Sequence, residues 1–169
     1  AGRSAIPGVP LSAVPLLLKI LRSPTDENRD ESLTLLCQIV GNAFGENGGT
    51  VGAIFREADG MATLSLCCAD VSSEVRISAL YLIGNLASSA FDPKSDLSKL
   101  LLLECSAEKG LLACLESDDK FIVSYTCGAL QNLCNHVDWA KAIIKSGGVA
   151  RLEVLVQHAD ETVARNAAG

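Results

Sequence analysis

The stretch VRISALYLIGNLAS, Val75–Ser88, constrains the fold more than any other part of the chain, because it recurs. QIVGNAF carries Asn42 and GALQNLC carries Asn132. With Asn85 these asparagines are spaced 43 and 47 residues apart. A unit recurring every roughly 20–50 residues cannot bury its apolar face alone, and stacking on its neighbours builds one continuous core. The 169 residues accommodate about four units of ~42 residues. Hydrophobic residues make up 49% and aromatics only 4%, so Leu, Ala, Val and Ile must fill the interior, which suits close helix–helix packing.

Periodicity along the chain predicts helices throughout. In Leu11–Ser23, Val14, Leu17, Leu18 and Leu21 lie at i, i+3, i+4 and i+7, with Pro15 near the start and Pro24 closing it. A charged turn, Thr25–Asp30, leads to a long helix over roughly Asn28–Phe44, with Leu33, Leu36, Cys37, Val40 and Ala43 as its buried stripe. The glycines of Gly45–Gly49 are expected to break it. Short helices follow at Thr50–Ala58 and Met61–Ala69. Ser72 or Ser73 then caps the opening stretch, read as Glu74–Ser88. Ser88–Leu97 reads as a long polar connection that absorbs the wider second spacing. Helices are expected at Lys99–Ala107, Leu111–Glu116, Phe121–Asn135, Trp139–Ser146 and Val149–His158, with a further one starting at Glu161.

The unit is thus short helix, glycine, medium helix, polar turn, long helix. Gly60, Gly110 and Gly148 are each expected to open a medium helix, at a sharp turn that a residue without Cβ tolerates.

On these residues the chain resembles the armadillo repeat family. Ser146–Gly169 is similar to that family's glycine-led second helix, its Asp-centred turn and the start of a third helix. Glu74–Ser88 and Ser124–Cys134 resemble third helices, and Ala13–Asp26 resembles a second helix with Ala13 in place of the glycine. HEAT-type arrays are the neighbouring alternative; the single-glycine break and the NLx ending of the long helix favour armadillo. The resemblance implies an all-α fold, an α-solenoid of about four three-helix repeats in a right-handed superhelix, with incomplete first and last repeats. The divisions fall at 1–24 (partial), 25–70, 71–117, 118–158 and 159–169 (the start of a further repeat).

In that family the third helices line a concave groove, where an asparagine ladder holds the backbone of an extended peptide. Carried over by position, the resemblance makes Asn42, Asn85 and Asn132 the candidates for that ladder here. An amide offers donor and acceptor together and so matches a peptide group. The competing reading is that each caps its own helix. Importin-α-like members carry a tryptophan four residues before each ladder asparagine. The equivalents here are Gln38, Tyr81 and Gly128, with Gly169 in the same register, so an importin-α-like transport adaptor departs from the pattern. Further back, the groove positions are Leu35, Ser78 and Tyr125, then Glu31, Glu74 and Phe121. Tyr81, Tyr125 and Phe121 would supply apolar contacts, and Glu31 and Glu74 would favour a partner with basic residues or simply begin their helices favourably.

The expected function is a protein–protein interaction scaffold for an extended peptide or partner helix. The alternative is a regulatory or structural segment of a larger multidomain protein. A net charge of −6 and pI near 4.9 oppose nucleic-acid binding, and the densest basic pair is only Lys141 and Lys145. No apolar run approaches the ~20 residues that span a bilayer, and Lys19 interrupts a superficial signal-like run at Leu11–Leu21. The seven cysteines (Cys37, Cys67, Cys68, Cys105, Cys114, Cys127, Cys134) form no CxxC pair and read as core filling in an intracellular compartment, cytoplasmic or nuclear, with no metal and no cofactor. Hydrolase, zinc-protease and P-loop motifs are absent; GENGGT lacks the lysine, and Cys134 with His136 lacks an orienting group, so no catalysis is expected.

The chain begins at Ala1 rather than Met, and the next ladder position would be residue 173, beyond Gly169. A longer array is therefore expected, together with self-association through Val149, Leu152, Val154, Leu155 and Val156.

Overall fold

The computed structural model describes residues 9–169; residues 1–8, the opening of the first partial unit, lie outside the described residues. Each regular element in the described part is a helix. A 3-10 turn, Leu11–Ala13, runs into α1 (Val14–Leu21). Then come α2 (Arg29–Asn42), α3 (Gly48–Glu57), α4 (Gly60–Cys67), α5 (Ser73–Leu86), α6 (Ser95–Glu104), α7 (Ala107–Leu115), α8 (Lys120–Leu133), α9 (Val137–Lys145), α10 (Gly148–Leu155) and α11 (Glu161–Ala168).

The 14-residue helices α2, α5 and α8 and the shorter α11 lie side by side as one layer, and α1, α4, α7 and α10 form a second layer behind them. The first-type helix α3 touches α6, and α6 is tied to α9 by Trp139, whose Nε1 donates to the Lys99 carbonyl at 2.7 Å. One continuous apolar core runs between the layers, from Val14 to Val163. The α1 stripe is buried as its spacing requires, at Val14, Leu17, Leu18 and Leu21.

The starts of α2, α5, α8 and α11 share a first capping step, and the last three add a second. Two residues before the N-cap, a side chain accepts the N-cap residue's own N–H: Asp26 for Asn28, Asp70 for Ser72, Ser117 for Asp119, and His158 Nδ1 for Asp160. The caps Ser72, Asp119 and Asp160 then accept from N–H groups of the first helical turn. Three residue types, Asp, Ser and His, thus build one turn, because all that is required is an acceptor two residues ahead of the cap.

Several expectations need correction. The helix expected at Lys99–Ala107 begins at Ser95 and ends at Glu104. The next begins at Ala107 rather than Gly110, which lies inside α7. Ala107 to Asn132 is then 25 residues, the same as Gly60 to Asn85, so the unit is more regular than its glycines suggest. Of the residues just before α4, α7 and α10, only Gly147 is a glycine in the left-handed region, with φ 77°; Asp59 (54°) and Ser106 (56°) take that conformation in the other two. Gly60 is needed for space instead: a Cβ there would come within 2.6 Å of the Phe55 carbonyl oxygen. Gly48 and Gly49 do not break the chain but open α3, and Gly45 alone, at φ 97°, makes the turn.

The connection before α6 is not a passive insertion, since Phe91 and Asp92 are buried. Core filling holds for Cys67, Cys68, Cys114 and Cys127, whereas Cys37 and Cys134 are half-buried and Cys105 is exposed. Near the C-terminal end Leu155 is covered by the core and Leu152 is half-buried, while Val149, Val154 and Val156 remain exposed.

Candidate functional site

The third-helix layer carries a groove of about 450 Å³ between α5, α8 and α11. It gathers five residues expected from the sequence: Tyr81, Asn85, Phe121, Tyr125 and Asn132. The long helices place them one turn apart on a single face, so neighbouring helices set them abreast. Tyr81 and Tyr125 meet edge to face with ring centroids 6.5 Å apart. Tyr125 stays 40% and Phe121 58% exposed, which leaves apolar surface facing solvent where aromatic anchors serve recognition. Lys120 Nζ lies 5.4 Å from the Phe121 ring centroid, a cation–π contact. The Tyr81 hydroxyl reaches Gly41 of α2, where a Cβ would sit 3.1 Å away. Burial, with Cys37 and Tyr125 alongside, pushes its phenol above the ordinary range.

The asparagines are partly occupied. Asn85 Nδ2 donates to the Tyr81 carbonyl one turn back in its own helix, at 2.8 Å. Asn132 Nδ2 instead crosses to the Gly84 carbonyl of α5, at 2.9 Å, meeting one of the acceptors that every helix end leaves open. Each amide keeps one further N–H and its oxygen for an outside partner. Asn42, the last residue of α2, is exposed.

A second hollow of about 390 Å³ lies between the N-terminal halves of α2 and α5. Glu74 and Ser78 line it with Asp30 and Thr34. Glu74 also accepts from the Ser72 hydroxyl at 3.0 Å, so it serves the helix start as well as the surface. Glu31, Gln38 and Asn42 are exposed on α2 but line neither hollow. Sequence reasoning missed Ser124, Thr162 and Asn166 in the main groove. Asn166 Nδ2 bridges α11 to α8 through the Ser124 carbonyl and hydroxyl, at 3.3 and 3.1 Å. It falls in the register of Ser78 and Tyr125, seven residues before the ladder position at 173, so the spacing that picked those two also pointed to it.

Trp139 is fully buried on α9 and takes no part in the groove. Cys134 and His136 do not form a nucleophilic pair: His136 Nδ1 accepts the Asp138 N–H to cap α9, and burial raises the Cys134 thiol. No helix among the described residues is long and apolar enough to cross a membrane.

This architecture is that of the armadillo repeat. An engineered protein superposes with a TM-score of 0.81 at 25% identity, over 98% of this chain and 66% of that one. Computationally designed armadillo repeat proteins for modular peptide recognition match with a TM-score of 0.77 at 24% identity, over 91% of this chain and 61% of that one. A designed armadillo repeat protein in complex with the peptide (KR)4 matches with a TM-score of 0.76 at 21% identity, over 92% of this chain and 62% of that one. The chain therefore spans somewhat under two thirds of the length of these proteins. No protein-family model matches the sequence, and neither does any curated protein. The chain has an armadillo-type α-solenoid fold.

Proposed function

We propose that the chain is a protein–protein interaction module whose third-helix groove takes an extended peptide. The observation that carries this reading is the groove itself, where the half-exposed rings of Phe121 and Tyr125 stand beside the unused amide capacity of Asn85 and Asn132. The amides would hold the peptide backbone while the rings cover its side chains. Asp30 and Glu74 in the adjoining hollow, with Glu31 exposed nearby, favour Lys or Arg on the peptide. The (KR)4 peptide bound by the designed relative supports that choice of probe. Trp139 is the only tryptophan and is buried, so the groove has no tryptophan walls for lysine stems, and an importin-α-like adaptor role is the weaker reading. The unit divisions at 25–70, 71–117 and 118–158 belong to the same proposal, each grouping a long helix with the two helices that follow. Core use of free thiols fits a reducing, intracellular setting.

The test is titration of the chain with (KR)4 and with a glutamate octapeptide. Binding of the basic peptide, weakened at least about tenfold by Phe121→Ala or Tyr125→Ala with the melting temperature unchanged, supports the reading. Equal binding of both peptides, or variants that change only the melting temperature, sinks it. Asn132→Ala is unsuitable as the sole probe, because it also strands the Gly84 carbonyl.

A further inference from the structure

A second groove lies on the opposite type of helix, between α3 and α6. A hollow of about 780 Å³ bounded by α3 and the 88–94 connection adjoins another of about 420 Å³ along α6, and the two share Arg56, Glu57 and Leu97. Its wall is built rather than incidental. Asp92, 1% exposed, accepts from Arg56, and Arg56 Nη1 also donates to Ser98 Oγ at 2.9 Å. Asp92 Oδ1 takes the Lys94 N–H at 2.8 Å, which closes the turn. Phe91 lies over Gly48, and the exposed Phe44 ring meets Phe91 edge to face at 5.1 Å. The connection is thereby clamped down onto α3 and leaves a fixed trough beside it.

What faces the trough is a helix stripe with an acidic border. Leu97, Leu100, Leu101 and Glu104 fall at i, i+3, i+4 and i+7 of α6, and Leu97 and Leu100 are 51% and 37% exposed. Glu46, Glu57 and Glu104 stand exposed around the trough, against one exposed lysine, Lys94, since Arg56 is already paired with Asp92. An exposed apolar stripe with a one-sided charged border is the usual form of a helix-in-groove site. We propose that this trough docks an amphipathic helix from a partner protein, with apolar side chains at i, i+3, i+4 and i+7 seated against Leu97 and Leu100, and lysines or arginines meeting Glu57 and Glu104. Charge complementarity selects this occupant over an acidic or purely polar segment. The site is separate from the third-helix groove, so one scaffold holds two partner segments at once.

The test uses the whole chain and three synthetic helical peptides: leucines at i, i+3, i+4 and i+7 flanked by lysines; the same leucines flanked by glutamates; and the lysine peptide with serines for leucines. Fluorescence anisotropy is expected to show binding of the first alone. Leu100→Asp is expected to weaken it at least about tenfold with the thermal melt retained, as its half-exposed side chain permits. The pair Glu57→Lys and Glu104→Lys is expected to transfer preference to the glutamate peptide, which a merely structural role would not do. Tyr125→Ala is expected to leave binding intact. Failure of the lysine peptide to bind, equal binding of the glutamate peptide, or loss through Tyr125→Ala in place of Leu100→Asp would each overturn the proposal. This docking does not rest on the third-helix groove: (KR)4 has no apolar anchors and its binding is the one expected to respond to Tyr125→Ala, so failure here and failure of that groove are separable.

Discussion

Two glycines show how differently the same residue type is used. A Cβ on Gly48 would collide with the Phe91 carbonyl, a backbone atom held by the buried connection. Gly128 sits inside α8 with nothing within 4 Å of where its Cβ would lie. Gly48→Ala is therefore expected to destabilise the chain by roughly 1–3 kcal/mol, through forced displacement of a packed segment. Gly128→Ala is expected to stabilise it by about 1 kcal/mol, the helix-propensity difference alone. Urea denaturation of both variants checks the pair; a neutral Gly48→Ala would show that the connection yields. The sequence reads Gly48 as part of a helix-breaking run and Gly128 as mid-helix, and shows for neither what a Cβ would meet. The concave register was legible: Tyr81, Asn85, Tyr125 and Asn132 do share a groove. Which amide hydrogens are already spent within the protein was not, since that depends on the distance between helices 48 residues apart in the chain.

At the scale of the element, the long-helix starts were readable where a local residue does the work. Ser72 or Ser73 was expected as the cap, and Ser72 is the one. The ion pair behind it was not, because Arg29 reaches Asp70 across 41 residues, at 2.6 Å. Burial by itself would raise the Asp70 carboxyl, but the hydrogen bonds from Arg29 and from the Ser72 N–H outweigh it, and the group is held below the ordinary carboxylate value. A carboxylate depressed in the folded state adds stability that is complete above its unfolded pKa, about 3.9, and is lost as pH falls through the folded value. Asp70→Asn is thus expected to cost roughly 1–3 kcal/mol at neutral pH and to flatten the acid limb of a stability–pH profile. Chemical denaturation between neutral and strongly acidic pH tests this; an unchanged acid limb would remove Asp70 from the account. The boundaries of α6 and α7 were misplaced for a related reason. Ser106 takes a left-handed conformation that its residue type does not advertise, while Gly110, which invites a turn, lies within a helix.

At the scale of the molecule, the layers leave apolar side chains on the surface of α9 and α10. Ile144 and Val154 are 65% and 62% exposed, and Val149 and Val156 are also open, while Leu155 beside them is buried. Sedimentation velocity is expected to show a weight-average mass that rises with concentration, and Val154→Lys is expected to lower it toward the monomer. A mass independent of concentration would leave these residues as ordinary surface. The self-association expected from the sequence therefore narrows from five residues to the exposed three among them, Val149, Val154 and Val156, with Ile144 added.

The sequence by itself determined the helical class, the order of short, medium and long helices and the face of α5 and α8 that lines the groove. These follow from apolar spacing and from a repeat period, both of which are local or nearly so. Only the tertiary structure decided that the 88–97 connection is a buried clamp, that α7 begins at an alanine, and that Asn132 closes the end of α5. Each of those depends on which groups from distant units meet once the layers stack. A buried carboxylate, a carbonyl without a partner and a forbidden Cβ come into being only at that contact.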